Sequence, residues 1–303
     1  MSDPAPAAII RFEKLSLEME GHVYLRDADL TVYEGESLVV AGLPGCGKSL
    51  VLRLILGLPG ADDDEVHLEG DVTVNGQSVL DMPLSDLQRL RRRMGSVMRD
   101  GGLIENMDIR GNVSLPLNYH HRGIMSVAEI EGRCDDLLRD MGLLELAATG
   151  VRPVSINREQ RLYVSLARAF INEPFVLLMD DPAAGFSPGS AYRLKRFFFH
   201  YRPEFPTHPS NQVHTGRPLT RISTTSDLGR YIDFGDRFVV LSDQKLRVIG
   251  DRVAIAASTE QDVLQLLGPE VRADSTSLAE ETASDLIERA ADVATPSGRQ
   301  EAI

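Results

Sequence analysis

Eight consecutive residues, Gly42-Leu43-Pro44-Gly45-Cys46-Gly47-Lys48-Ser49, set a lysine and a hydroxyl behind three glycines. The spacing is G-x-x-x-x-G-K-S, and its chemistry is phosphate binding. Glycines let successive backbone N–H groups turn inward around oxygens, the lysine brings a full positive charge, and the hydroxyl can ligate Mg²⁺ beside the phosphates. Such a loop needs a strand before it and a helix after it, because helix N-terminal N–H groups and the helix dipole favour an anion. Both are legible. "SLVVAG" (37–42) is a short apolar run of the kind buried on both faces of a sheet, and "LVLRLILG" (50–57) is a buried helix closed by Gly57. Leu50 opens that helix and belongs with the loop. The candidate nucleotide set is therefore Gly42, Pro44, Gly45, Cys46, Gly47, Lys48, Ser49 and Leu50.

A second element pairs with the first. "FVLLMDD" (175–181) is an apolar run ending in two adjacent acids. Asp180, at the end of the strand, suits a magnesium ion held together with Ser49. The plainer reading is a strand-end carboxylate capping a loop. Neither element distinguishes adenine from guanine.

The elements that position these residues read as α/β. The N-terminal third is strand-rich, and "VTVNGQSV" carries an Asn75-Gly76 hairpin signal. Residues from about 95 to 160 read as helices and loops. "EQRLYVSLARAF" (159–170) puts Leu162, Leu166, Ala169 and Phe170 on one helical face, and Glu173-Pro174 ends it before the next strand. Strand–helix–strand alternation predicts parallel strands with right-handed crossovers. The Pro- and His-rich stretch 200–218 reads as a surface loop, since the spacing of His200, His208 and His214 fits no compact metal site. "RFVVLSDQKLRVIG" (237–250) reads as a closing hairpin, and Ser258 to Gln261 as a capping box before a helix. A second amphipathic stretch carries Ala283, Leu286/Ile287 and Ala290/Ala291, with a disordered tail expected after it. Two units are expected, 1–250 and 251–303.

Bulk properties narrow the function. The 303 residues carry a formal net charge of −13, which argues against a general nucleic-acid binder. The basic run Arg89, Arg91, Arg92 and Arg93 reads as a solvated helix face or a subunit contact. Cys46 and Cys134 cannot build a disulfide framework, so a reducing compartment is expected. No leader is visible in "MSDPAPAA". No apolar run approaches the ~18 residues needed to cross a bilayer. Work at a membrane would require another chain.

Taken in order, the phosphate loop, "RRRMGSV" (91–97), the "ARA" helix (167–169), "LLMDDP" (177–182) and "RFVVLSDQKLRVIGD" (237–251) resemble the ATP-binding subunits of ABC transporters over about residues 8–250. "GGLIENMDIRGNVSLPLNYH" (101–120) is similar to the corresponding segment of the Mla/Mce-type lipid-transport ATPases. The resemblance implies a P-loop NTPase core with an antiparallel β subdomain, a helical subdomain and a C-terminal helical extension. It implies ATP and Mg²⁺ as cofactors. It also implies a dimer with a second ABC subunit, the same chain or another, beneath a transmembrane permease, with each ATP clamped between one phosphate loop and the other's signature segment. An MCE-type substrate-binding protein and a small regulatory subunit are further implied partners. The implied place is peripheral, on the cytoplasmic face of the inner membrane.

The departures from that family matter as much. Where it has glutamine, this chain has Arg99, a fixed cation that would repel the metal or take its place. The L-S-G-G-Q signature reads Ile156-Asn157-Arg158-Glu159-Gln160, and Glu159 would set negative charge against the other subunit's γ-phosphate. Asp181 replaces the general-base glutamate with a side chain one methylene shorter. Ser187 replaces an aspartate in the next loop, and Ser226 falls at the switch-histidine position. Met19 falls near the adenine-stacking position, with His22 and Tyr24 nearby. The implication is a subunit that binds ATP and hydrolyses little or none. Two alternatives stand beside it: a working ATPase using Asp181 as a weaker base with Arg99 stabilising charge, and a soluble scaffold of this fold outside transport.

Overall fold

The computed structural model describes residues 6–58, 66–120, 124–201, 203 and 218–268. The chain begins with β1 (Ala8–Met19) and β2 (His22–Tyr33), followed by β3 (Ser37–Ala41) and α1 (Lys48–Ile55). Next come β4 (Val66–Val74), β5 (Gln77–Ser78), α2 (Leu84–Arg91) and β6 (Met94–Val97). A helical stretch follows, with α3 (Ile109–His120), α4 (Val127–Asp140), α5 (Leu144–Ala148) and α6 (Arg158–Phe170). The described chain then runs through β7 (Val176–Asp180), α7 (Pro188–His200), β8 (Thr220–Thr225), β9 (Arg237–Ser242), β10 (Lys245–Gly250) and α8 (Arg252–Ala256).

Two sheets result. One is antiparallel, in the order β2-β1-β4-β5. Its β4–β5 turn is Asn75-Gly76, with φ of 52° and 74°, the two left-handed residues that the Asn-Gly pair signals. The other sheet has the order β10-β9-β3-β8-β7-β6, parallel throughout except for the hairpin strand β10.

The continuous apolar runs are explained by burial on both faces of the parallel sheet. Along β3, Leu38 and Val40 point into one core while Val39 and Ala41 point into the other. β7 divides in the same way, Val176 and Leu178 against Leu177 and Met179. The first core is shared with α1 and the antiparallel sheet, and the second with α3, α4, α6 and α7. Ile255, Val263, Leu266 and Leu267 are buried in that second core.

Several elements differ from the sequence expectation. The helical stretch expected from about 95 begins with strand residues, since Met94–Val97 pair with β7 as the sheet edge. Four residues around Gly95 are too short a run to show a period. β8 escaped detection altogether. "TRISTT" is polar, yet all six residues are buried at the centre of the sheet. Its backbone drives the pairing, and the hydroxyls of Thr220, Thr224 and Thr225 are bonded to neighbours. α7 continues through His200, so the expected loop starts later, and His208 and His214 lie outside the described residues. The capping box at Ser258 is also corrected. The helix of residues 261–268 starts with Leu264 N–H on the Glu260 carbonyl (2.9 Å), and Ser258 Oγ accepts from Glu260 N–H two residues on (3.3 Å). The 283–291 stretch and the tail lie outside the described residues.

The basic run is not simply a solvated face. Arg91 donates from Nε to the Leu56 carbonyl (2.7 Å) and from Nη2 to Gly57 (2.8 Å), closing the C-terminal end of α1. Arg93 lies over the Phe175 ring at 5.4 Å.

Candidate functional site

The site begins where β3 stops. Gly42 N–H donates to the Thr225 carbonyl (3.1 Å), tying the loop to β8. A Cβ on Gly42 would come within 2.7 Å of Cys46 Sγ and of the Leu241 carbonyl oxygen, so no other residue fits there. Gly47 has φ of 103° and lies under the Tyr24 ring, which a Cβ would meet at 3.1 Å. Lys48 is buried and its Nζ donates to the carbonyls of Gly42 (2.7 Å) and Leu43 (2.8 Å). Burial lowers the Lys48 pKa, opposed by Cys46, Asp181 and Asp180.

The strand order β3-β8-β7 brings the acids to this loop. Ser49 Oγ donates to the Asp180 carboxylate, 2.9 Å from each oxygen. Between the two strands Thr224 bridges the acids. Its hydroxyl donates to Asp180 Oδ1 (2.7 Å) and accepts from Asp181 N–H (3.1 Å). Sequence reasoning missed Thr224, since a threonine in an unrecognised strand carries no motif.

Asp181 is buried, with φ of 41°, in the left-handed region that aspartate tolerates better than most residues. Its Oδ2 accepts from Arg99 Nη2 (3.2 Å) and from Ser226 Oγ (3.4 Å). Burial raises its pKa, while Arg99, Lys48 and the Ser226 hydroxyl pull the other way. Arg99, Asp181 and Ser226 thus meet at one carboxylate oxygen.

The segment 156–160 is differently engaged. Asn157 caps α6 by accepting from Gln160 N–H (2.9 Å), and Gln160 Oε1 accepts from Asn157 N–H (3.0 Å). Arg158 folds back onto its own chain. Its guanidinium donates to the Ala184 carbonyl, stacks on Phe186 at 4.7 Å, and reaches the Arg99 carbonyl at 3.4 Å. Glu159 lies 3.8 Å from Arg193 of α7. Ser187 caps α7 through the Ser190 N–H (3.4 Å). Ile156 is buried in the core beside α6. Met19 packs on the core beneath the antiparallel sheet, and His22 meets Tyr24 edge-on at 4.7 Å.

Among the described residues no cluster of three or more His, Cys, Asp or Glu side chains has the geometry of a metal site. Ser49 and Asp180 nevertheless offer adjoining oxygens, which suits a hard cation that draws its other ligands from phosphate and water. They fit Mg²⁺ in that sense. Also among the described residues, no helix is long and apolar enough to cross a membrane.

A family model described as "ABC transporter" matches residues 25–184. The sulfate/thiosulfate import ATP-binding protein of Methylococcus capsulatus is 30% identical over 228 residues, covering 75% of this chain and 58% of the relative. The spermidine/putrescine import ATP-binding protein of Nitratidesulfovibrio vulgaris is 31% identical over 242 residues, covering 80% and 58%. The chain spans about three-fifths of the length of the first such relatives, 58%, 57% and 61%. Among solved structures, a dimeric bacterial ABC transporter cassette superposes with a TM-score of 0.63 at 25% identity, covering 78% of this chain and 96% of that one. The cbiO1 protein of Clostridium perfringens, part of an ABC transporter complex, superposes at 0.66 and 19% identity, covering 89% and 98%, and speaks to the fold alone.

Proposed function

The chain belongs to the ABC transporter family, and on that premise we propose that it is a nucleotide-binding subunit that holds ATP but hydrolyses little or none. The observation that carries this reading is the contrast within one site. The loop from Gly42 to Ser49 keeps every group that binds phosphate, while the Asp181 oxygen facing Ser226 is occupied by Arg99.

The residues divide accordingly. The glycine loop and the N-terminal end of α1 would face the phosphates, and Lys48 would neutralise them once its amine leaves the loop carbonyls. Ser49 and Asp180 would hold Mg²⁺, which when bound supplies charge neutralisation on the phosphate oxygens. Phosphoryl transfer also needs an oriented and activated water. Asp181 is buried and its Oδ2 is shared by Arg99 and Ser226, so its negative charge is committed to a fixed cation rather than to activating such a water. Ser226 brings no charge to the phosphate end. At the signature position Arg158 is drawn toward Ala184 and Phe186, and Glu159 opposes an approaching phosphate.

In this reading the subunit is peripheral, on the cytoplasmic face of the membrane, and pairs with a second ABC chain beneath a permease. The relatives named above import sulfate or thiosulfate and polyamines. The resemblance of residues 101–120 to Mla/Mce-type ATPases instead favours a lipid-related cargo, with an MCE-type protein and a small regulatory subunit as further partners. That segment builds the entry to α3, where Asn112 Nδ2 donates to Ile104, Met107 and Asp108 carbonyls at 3.0, 3.1 and 3.0 Å.

The test is stoichiometric co-purification from gently solubilised membranes. A permease together with a second ABC chain of intact motifs supports an asymmetric transporter. Recovery from the soluble fraction with neither partner contradicts the transport reading.

A further inference from the structure

Arg99 is held through its backbone and through its side chain. Its backbone carbonyl accepts from Arg158 at 3.4 Å, and its guanidinium reaches Asp181 at 3.2 Å. Asp181 is ion-paired with Arg99 and feels the charge of Lys48 as well. The Asp181 carboxylate is 5% exposed, whereas the Arg99 side chain is 52% exposed. The guanidinium is the reachable half of the pair. A triphosphate carried by Lys48 presents its terminal oxygens to that same cluster, and a guanidinium forks onto phosphate oxygens with two parallel N–H bonds.

We propose that Arg99 is the built-in counter-cation of this site, so that the chain binds a nucleoside triphosphate without needing a divalent metal. This rests on the nucleotide-binding reading above and adds the form in which the ligand is taken. Mg²⁺ normally neutralises the β/γ end of the nucleotide. Here a fixed positive charge already stands there, its guanidinium held by Asp181 and its backbone carbonyl by Arg158. A second cation in the same place is repelled by the first, which weakens the coupling between metal and nucleotide.

The measurement is the affinity for a fluorescently labelled ATP, in excess Mg²⁺ and in excess EDTA. The chain has no tryptophan to interfere. The wild type, Arg99→Gln, Arg99→Lys and Lys48→Ala are compared. In the wild type, removing Mg²⁺ changes the dissociation constant by less than about threefold. In Arg99→Gln the same removal weakens binding by about tenfold or more, and Arg99→Lys, which keeps the charge without the fork, falls between. A wild type that loses affinity in EDTA as steeply as Arg99→Gln overturns the proposal and leaves nucleotide binding intact. A wild type that binds in neither condition, indistinguishable from Lys48→Ala, overturns both.

Discussion

Ser49 Oγ stands 2.9 Å from both carboxylate oxygens of Asp180, across 131 positions of sequence. The contact exists because β8 lies between β3 and β7 and carries Thr224, whose hydroxyl fixes Asp180 from the other side at 2.7 Å. Phosphate loop and acid are thus joined through the sheet itself.

Nucleotide binding stabilises the folded state in proportion to ligand excess, by about 2.7 kcal/mol at one hundred times the dissociation constant. ATP is expected to raise the melting temperature of the wild type. Lys48→Ala removes the amine and is expected to abolish the shift. Equal shifts in both proteins place the nucleotide elsewhere.

The two cysteines are expected to differ in reactivity. Cys46 lies in the phosphate loop and is partly exposed, while Cys134 is fully buried, with its thiol pushed up to about 12 by burial. A maleimide on the native protein is expected to modify Cys46 alone, and bound ATP to slow that reaction several-fold. Labelling of Cys46 at an unchanged rate in saturating ATP contradicts a ligand in the loop.

Lys195 provides a pH test of the fold. Its side chain is buried against the rings of Tyr231 (5.1 Å) and Phe234 (4.6 Å) and donates to the Arg230 carbonyl. Burial is the main cause lowering its pKa from 10.5 to about 8, with Arg230 adding to it and Asp227 and Asp233 opposing. The folded state therefore binds this proton less tightly than the unfolded state. Its contribution is present in full above pH 10.5 and is lost as pH falls through about 8. Relative to Lys195→Met, the wild type is expected to gain up to about 3 kcal/mol between pH 7.5 and pH 10.5 in urea unfolding. A gap independent of pH shows that the amine titrates alike in both states.

Arg91 fastens the end of α1, the helix that carries Lys48 and Ser49, by two bonds to the carbonyls of Leu56 and Gly57 just past it. Arg91→Ala is expected to cost about 1–3 kcal/mol of stability, the range for losing hydrogen bonds from a charged donor. The ATP-induced thermal shift is expected to survive. Loss of the shift in a folded variant makes Arg91 part of the binding apparatus rather than its anchor.

What could be read from the sequence followed physical regularity. The loop from Gly42 to Ser49 was legible because its glycines and lysine have few other uses at that spacing, and the β3 and β7 runs because burial on both faces leaves only apolar residues. The Asn75-Gly76 and 237–250 hairpins were legible from turn chemistry. β8 was not, since Thr220, Ser223, Thr224 and Thr225 hide a fully buried strand behind polar side chains. Nor were the contacts of Arg99 and Arg158 legible, although their positions were. Which carbonyl or carboxylate a long cation finds is decided by tertiary packing: Asp181 comes within reach of Arg99 once β6 pairs with β7, and Ala184 within reach of Arg158 once α6 docks on the sheet.

The most direct test is the fate of bound nucleotide. Protein loaded with γ-labelled ATP and Mg²⁺ is freed of excess ligand, denatured at intervals, and its nucleotide separated. The expected result is retention as ATP over many minutes, with none retained by Lys48→Ala. Conversion to ADP at about one turnover per second, the low end of ordinary enzymes, and lost in Lys48→Ala and Asp181→Asn, contradicts a subunit that holds ATP without consuming it.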